Sequence, residues 1–178
     1  MDKKVYYIIG IITVAFILSC VNSAKTQSNA MKTIDKVDLE RYMGKWHEIA
    51  RFPHSFEKGL VGVSATYSLK KNGKIEVLNQ GFKGSLSGKL KRAKGFAKVP
   101  DPNVPGRLIV YFFWPFGGEY LILDLDENYQ YVLVGSSSKN YLWILSRSTK
   151  MDDITYNNLI NKAELLGFDT SRLEKVPQ

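Results

Sequence analysis

Between residues 46 and 147 the chain reads as short strands separated by turn signals, and apolar and polar side chains alternate at a period of two where one face of a strand is buried. Residues 61–69 are the clearest case, and the Asn-Gly pair at 72–73 that follows them is a strong hairpin signal. Short turn segments separate the strands. The eight predicted strands are 46–52, 61–69, 74–82, 88–99, 107–114, 119–125, 131–137 and 141–147. An antiparallel up-and-down sheet of eight strands closes into a barrel that holds side chains or one small ligand.

After the eighth strand the apolar spacing changes to that of a helix. The apolar stripe consists of Tyr156, Leu159, Ile160, Ala163 and Leu166. We expect Thr149 to cap this helix and Gly167 to end it. Residues 141–147 are apolar on both faces, so one face can meet the lumen and the other the helix. The predicted fold is therefore all-β: an eight-stranded antiparallel up-and-down barrel with one C-terminal α-helix packed outside.

The first twenty residues carry an export signal. Lys3 and Lys4 precede a short apolar run, 5–19, that ends in front of Cys20, the only cysteine. This is typical of a secretory signal peptide and is too short to span a bilayer comfortably. The four residues Ile-Leu-Ser-Cys at 17–20 resemble the lipobox of bacterial lipoproteins. That resemblance implies cleavage before Cys20 and its lipidation, although a chance cysteine after an ordinary signal would look the same.

These features divide the chain into three parts. We expect a signal peptide at 1–19, a lipidated flexible tether at 20–36 and a folded domain at 37–178. The tether is rich in Asn, Ser, Lys, Thr and Gln and poor in apolar residues. At this length one domain is the default.

Charge and residue counts narrow the function. The formal net charge is +8, which suits anionic headgroups or simply keeps the protein soluble. The basic run 89–94 is either a solvated strand face or a patch that meets such headgroups. Export argues against a nucleic-acid partner. With two histidines and one cysteine, and without a nucleophile motif or glycine-rich phosphate loop, we expect no metal, no cofactor and no catalytic residue.

Several motifs resemble one family. Gly44-Lys45-Trp46 before the first strand, residues 124–129 between late strands, and Arg147 at the end of the last strand are similar to the three lipocalin blocks. Residues 42–52, 56–60, 65–69 and 141–147 resemble the bacterial outer-membrane lipocalins and the apolipoprotein D group more closely. In such lipoproteins an aspartate after the cysteine marks inner-membrane retention. Val21 occupies that position, so the resemblance favours the outer membrane.

The resemblance also implies a site. Arg147 would lie over the ring of Trp46 at the closed end of the barrel and help to seal it. Trp143 is four residues before Arg147 on the same strand face, roughly 13 Å up the wall, where it would touch ligand. Glu48 and Arg51 fall on opposite faces of the first strand by simple alternation, and the sequence does not decide whether Glu48 faces the lumen. Four more aromatic residues either line the lumen as ligand contacts or pack as core: Tyr67, Tyr111, Phe113 and Tyr120.

The function implied is lipid binding. We expect a lipocalin anchored in the outer membrane through Cys20 and facing the periplasm, which stores, transports or removes a fatty acid or lysophospholipid. A second reading is a binder of another apolar molecule, such as a tetrapyrrole or an isoprenoid. A third is a lipocalin-fold enzyme, which would need a reactive side chain deep in the lumen. A homodimer is left open.

Overall fold

The computed structural model describes residues 31–178. The predicted signal peptide, Cys20 and most of the tether lie outside the described residues. A one-turn helix, α1 (Leu39–Tyr42), precedes the strands, and a longer helix, α2 (Asp153–Leu165), follows the eighth strand. Within the described residues there are nine strands: β1 (Gly44–Arg51), β2 (Leu60–Leu69), β3 (Ile75–Lys83), β4 (Leu90–Lys98), β5 (Arg107–Phe113), β6 (Phe116–Leu125), β7 (Tyr131–Gly135), β8 (Leu142–Ser146) and β9 (Glu174–Lys175).

The strands form a closed antiparallel barrel. Each strand from β1 to β7 pairs with the next, and β1 also pairs with β8, which closes the sheet. The predicted fold class is therefore confirmed. The two-residue β9 pairs with the end of β1, through Ala50 and Arg51, and was not predicted because its sequence carries no alternation. The sixth strand begins earlier than expected, at Phe116, because the turn before it consists only of Trp114 and Pro115.

Two apolar clusters lie on the two faces of the wall. The inner cluster lies inside the lower barrel and includes Trp46, Val77, Leu108, Ile122 and Leu145. The outer cluster lies between the wall and α2 and is built from these buried residues: Ala50, Phe52, Leu121, Leu123, Leu133, Leu142, Ile144, Tyr156, Leu159, Ala163 and Phe168. As expected, β8 serves both clusters, because its side chains alternate between the lumen and the helix.

The C-terminal helix packs its predicted stripe outside the barrel, but it starts later than predicted. Asp152, not Thr149, is the N-cap, and its Oδ1 accepts a hydrogen bond from the Thr155 backbone N–H at 2.9 Å. A carboxylate there also meets the positive end of the helix dipole. Gly167 ends the helix as predicted. It has φ +80°, and its N–H donates to Glu164 O at 2.8 Å.

Residues 31–36 lie against the barrel, although the sequence assigned them to the tether. The Ile34 N–H donates to Ile122 O at 3.0 Å, so the chain runs along β6. Thr33 is buried, and Met31 packs against the outer cluster. Two apolar residues, Met31 and Ile34, among polar neighbours were too weak a signal to reveal this contact. No helix within residues 31–178 has the length and apolar character needed to cross a membrane.

Candidate ligand-binding site

The closed end of the barrel is sealed by Trp46 and Arg147. Trp46 is fully buried and donates its Nε1–H to Tyr42 O at 2.9 Å. The Arg147 guanidinium lies 3.8 Å from the centre of the Trp46 ring, a cation–π contact. The predicted contact between these two residues is present. Gly44, with φ +94°, leaves room for it, since a Cβ there would lie 3.3 Å from Arg147 Nη1.

Arg147 also ties the segments of the closed end together through backbone carbonyls. Its Nε donates to Tyr129 O at 3.2 Å, and its Nη1 donates to Lys45 O at 2.9 Å. Its Nη2 donates to Arg41 O and Tyr42 O, at 2.9 and 3.1 Å. The planar, five-donor guanidinium can serve four acceptors while it covers an aromatic ring, which an ammonium cannot do.

Three tyrosine hydroxyls form a buried cluster above this base. Tyr42 and Tyr120 share a hydrogen bond of 2.6 Å, and Tyr67 donates to Tyr120 at 3.1 Å. Burial raises the pKa of all three hydroxyls well above the ordinary value, so they are neutral. Tyr67 and Tyr120 belong to the inner cluster, so both face the lumen. Tyr42 was missed by the sequence reasoning because it comes from α1, ahead of the first strand.

Higher in the lumen, a β-bulge places two charged side chains on one face of β1. Glu48 pairs with Leu145 and Arg51 pairs with Trp143, but Ile49 between them adds an extra residue to the strand. The prediction that Glu48 and Arg51 lie on opposite faces is therefore wrong. Both are buried, and Arg51 Nη1 donates to Glu48 Oε1 at 2.6 Å. Glu48 faces the lumen, because its partner Leu145 belongs to the inner cluster.

The loop after β1 adds a second carboxylate to this pair. Arg51 Nη2 donates to the backbone oxygens of Glu57 and Leu60, at 3.1 and 3.3 Å, and the Glu57 carboxylate lies 3.9 Å from Arg51 Nη1. His54 Nε2 is 3.1 Å from Glu57 Oε2, an ion-pair distance without hydrogen-bond geometry. Burial, and then Glu57, raise the pKa of Glu48 well above its ordinary value despite Arg51. Arg51 is thus already matched by acids and is a poor receptor for a further anion.

The upper wall at β4 is open and carries a different cation. Register places Ala97, Gly95, Ala93 and Lys91 on the lumen face, opposite inward residues of β3. Ala97 is buried in the inner cluster, whereas Ala93 and Lys91 are solvent-exposed although they face inward. The small side chains leave space, and Lys91 lies on the inner rim. The sequence showed the basic run but could not say which of its members faces the lumen.

Of three other predicted ligand contacts, Trp143 faces the lumen, whereas Tyr111 and Phe113 do not. Trp143 is half-buried, packs against the inner cluster and opposes Arg51, so it lies in the upper wall. The expectation that Tyr111 and Phe113 line the lumen is wrong. Tyr111 stacks on the outward Phe96, with 4.9 Å between ring centres, and Phe113 is 81% exposed.

The residues of β5 that do face the lumen are Leu108, Val110 and Phe112. Because β5 is apolar on both faces, its sequence does not reveal which set of side chains points inward.

Comparisons with known proteins identify the family. A family model described as a lipocalin-like domain matches residues 37–178. The chain belongs to the lipocalins. Over 92% of its length it is 38% identical to the outer membrane lipoprotein Blc of Vibrio cholerae, of which 97% is covered. It is 40% identical to temperature-induced lipocalin-1 of Arabidopsis thaliana, with 86% of each chain covered.

Two further matches extend this picture. Apolipoprotein D of Macaca fascicularis is 33% identical over 81% of this lipocalin and 78% of its own length, so both predicted resemblances are confirmed. The fold matches insecticyanin from Manduca sexta with a TM-score of 0.67 at 21% identity, covering 83% of this chain and 84% of that one. The bacterial relatives confirm the predicted location, a lipid-anchored protein of the outer membrane.

Proposed function

We propose that this lipocalin binds one single-chain lipid, a fatty acid or a lysophospholipid, and stores or carries it within the cell envelope. The observation that carries the proposal is the division of the lumen. Its lower part is apolar, apart from three tyrosine hydroxyls that satisfy one another. Its upper part is open along β4 and has Lys91 at the inner rim. An acyl chain suits the first part and an anionic headgroup suits the second.

The headgroup is assigned to Lys91 because the other inward cation is occupied. Arg51 is held by Glu48 and by two backbone carbonyls, so bringing a carboxylate to it would add a third acid to the cluster. Lys91 is exposed on the lumen face and can meet a carboxylate or phosphate without breaking a buried pair. Asn79, on β3, pairs with Ala93 and adds a polar group to the same wall.

Trp143, Tyr67 and Tyr120 are the aromatic contacts that we propose for the acyl chain. Trp143 lies in the upper wall, and the two tyrosines lie beneath it. We further propose that Cys20 is the lipidated residue, that the domain faces the periplasm, and that the protein binds its ligand without transforming it. A tetrapyrrole or an isoprenoid in the same lumen is the alternative that the experiments below must separate.

The headgroup assignment predicts a specific loss of affinity. Lys91→Gln should weaken fatty-acid binding about tenfold, since a partly exposed charge-assisted hydrogen bond contributes roughly 1.4 kcal/mol. Lys94→Gln is the matched control, because Lys94 belongs to the same basic run but faces outward opposite Leu78. A fatty alcohol of equal chain length should bind both variants alike. Equal fatty-acid affinity in the two variants would contradict the role of Lys91.

The ligand class itself is tested by native mass spectrometry of the protein released from native membranes. A bound mass equal to a fatty acid or lysophospholipid supports the proposal, and a tetrapyrrole or isoprenoid mass overturns it. The same spectra report whether the protein is a monomer or a homodimer.

Replacement of Cys20 by alanine should leave an uncleaved precursor or a released protein. A Cys20→Ala protein that stays in membranes at its mature mass would show that lipidation is not the anchor.

A further inference from the structure

Large apolar side chains are exposed on all four connections at the open end of the barrel. One lies between β1 and β2, one between β3 and β4, three at the β5–β6 hairpin and one between β7 and β8. We call this set the apolar rim: Phe56, Leu86, Phe113, Trp114, Phe116 and Tyr141. At the hairpin the side chains are 69–81% exposed. Single exposed apolar residues are ordinary, but six on the four connections at one end of the barrel form a cluster, which marks an interaction surface.

The loops that carry the apolar rim have a net positive charge. The connecting loops at this end carry Lys58, Lys89 and Lys139, and the one acid in them, Glu57, is buried against Arg51 and His54. The outward face of β4 adds Arg92 and Lys94 beside the β5–β6 hairpin. Lys98 extends this face down the wall, and its Nζ lies 5.8 Å from the ring centre of Trp114. Exposed aromatic rings among lysines match the interface of an anionic bilayer, where rings enter the headgroup layer and lysines meet phosphates.

A lateral gap in the wall opens at the same place. Strands β4 and β5 pair only from Phe96 to Lys98, so the upper part of β4 has a hydrogen-bonded neighbour on the β3 side alone. The gap lies between the inward Lys91 and Ala93 and the exposed Phe113. A lipid that left a bilayer beneath the apolar rim could therefore enter the lumen without crossing bulk water.

The predicted tether is long enough for the open end of the barrel to face the membrane. Eleven residues, 20–30, separate the start of the mature chain from Met31, and they can span at most about 40 Å when extended. A ten-residue strand such as β2 is about 33 Å long. The chain between Cys20 and Met31 can thus exceed the height of the wall, and the open end can reach the membrane that holds the anchor.

We propose that the apolar rim docks the open end of the barrel onto an anionic lipid surface, with Phe113, Trp114 and Phe116 in the membrane interface. This docking rests on the proposed lipid anchor for its geometry, but not on the identity of the ligand in the lumen. It makes the membrane the direct source and acceptor of the ligand.

Quenching of tryptophan fluorescence by membrane-embedded bromine tests the docking. The acylated mature protein is reconstituted into vesicles of phosphatidylcholine with phosphatidylglycerol, whose acyl chains carry bromine. Docking is reported by the difference in quenching between the wild type and Trp114→Phe. Taking this difference removes any quenching of Trp46 and Trp143, which lie inside the barrel. We expect this signal in anionic vesicles, a weaker signal in pure phosphatidylcholine, and a further decrease at high salt.

A matched pair of double variants tests whether the apolar rim causes the signal. Phe113→Asp with Phe116→Asp should abolish it. Ile154→Asp with Leu165→Asp should leave it unchanged, although these helix residues are equally exposed, at 76% and 88%. No Trp114-dependent quenching in the wild type, or equal loss in both double variants, overturns the proposal. If the wild type shows no quenching but forms a dimer that only the rim double variant abolishes, the apolar rim binds a second copy of the chain instead.

The two proposals fail separately in these measurements. The rim double variant should keep the wild-type affinity for a fatty acid presented in solution, because its substitutions lie outside the lumen. Lys91→Gln should bind the fatty acid about tenfold more weakly and still dock. Absence of Trp114-dependent quenching in the wild type, with intact ligand binding, therefore refutes only the docking. Docking by a protein whose fatty-acid affinity does not depend on Lys91 refutes only the ligand assignment.

Discussion

Arg147→Lys isolates the contribution of the guanidinium fork, because lysine keeps the positive charge near Trp46. An ammonium can reach one or two of the four carbonyl oxygens that Arg147 serves. Lys45 O and Arg41 O are exposed and can turn to water, and Tyr42 O keeps the bond from Trp46. The part-buried bonds to Tyr129 and Tyr42 are the ones at stake, at about 1 kcal/mol each. A looser contact with the ring costs about 0.5–1 kcal/mol more.

We therefore expect Arg147→Lys to lower the free energy of unfolding by about 2–3 kcal/mol. Urea unfolding of the mature protein, followed by tryptophan fluorescence, measures it. Arg172→Lys is the matched control, because the Arg172 guanidinium also lies over a ring, that of Phe52, at 4.5 Å. Arg172→Lys should lower the free energy of unfolding by no more than about 0.5 kcal/mol, as most exposed substitutions do. Equal losses in the two variants would refute the reasoning, since the carbonyl bonds would then contribute nothing.

Trp46, Glu48 and Ala93 each give a further prediction. Trp46→Ala should lower the free energy of unfolding by about 3–5 kcal/mol, and an unchanged urea midpoint would contradict the sealing role. The raised pKa of Glu48 means that the protein loses stability, relative to Glu48→Gln, as pH rises from its ordinary pKa of 4.5 towards the native value. Urea melts of both proteins from about pH 4 to about pH 8 test this, and a pH-independent difference would be the opposite result. Ala93→Trp should block the upper lumen and weaken ligand binding, whereas Lys94→Trp, one residue away on the outer face, should not.

The strand pattern and the helix stripe could be predicted from the sequence because each element buries one regular set of positions. Period-two alternation, short apolar runs and the turn signals between them located all eight barrel strands, and the spacing from Tyr156 to Leu166 located the helix. The base of the barrel was also predictable, since Trp46 and Arg147 belong to distinctive motifs. These features depend on local order, which a sequence displays directly.

The upper site was less predictable, and the reasons are physical. One extra residue at Ile49 reverses the facing of everything after it in β1, and alternation does not reveal such a bulge. In β5, apolar side chains on both faces hid the fact that Phe112, not Tyr111, points inward. The sequence could not show that the Lys91 side chain points inward, because its direction depends on how β4 pairs with β3 and not on the neighbouring residues in β4.

Quenching by a fatty acid that carries bromine on its acyl chain tests the central claim, that the lumen holds the lipid. The measurement is made without membranes, so that Trp143 in the upper wall and Trp114 on the outer hairpin report different locations. We predict saturable quenching of the wild type and of Trp114→Phe, and its loss in Trp143→Phe. Quenching that persists in Trp143→Phe and disappears in Trp114→Phe would place the lipid on the outer surface and contradict the account.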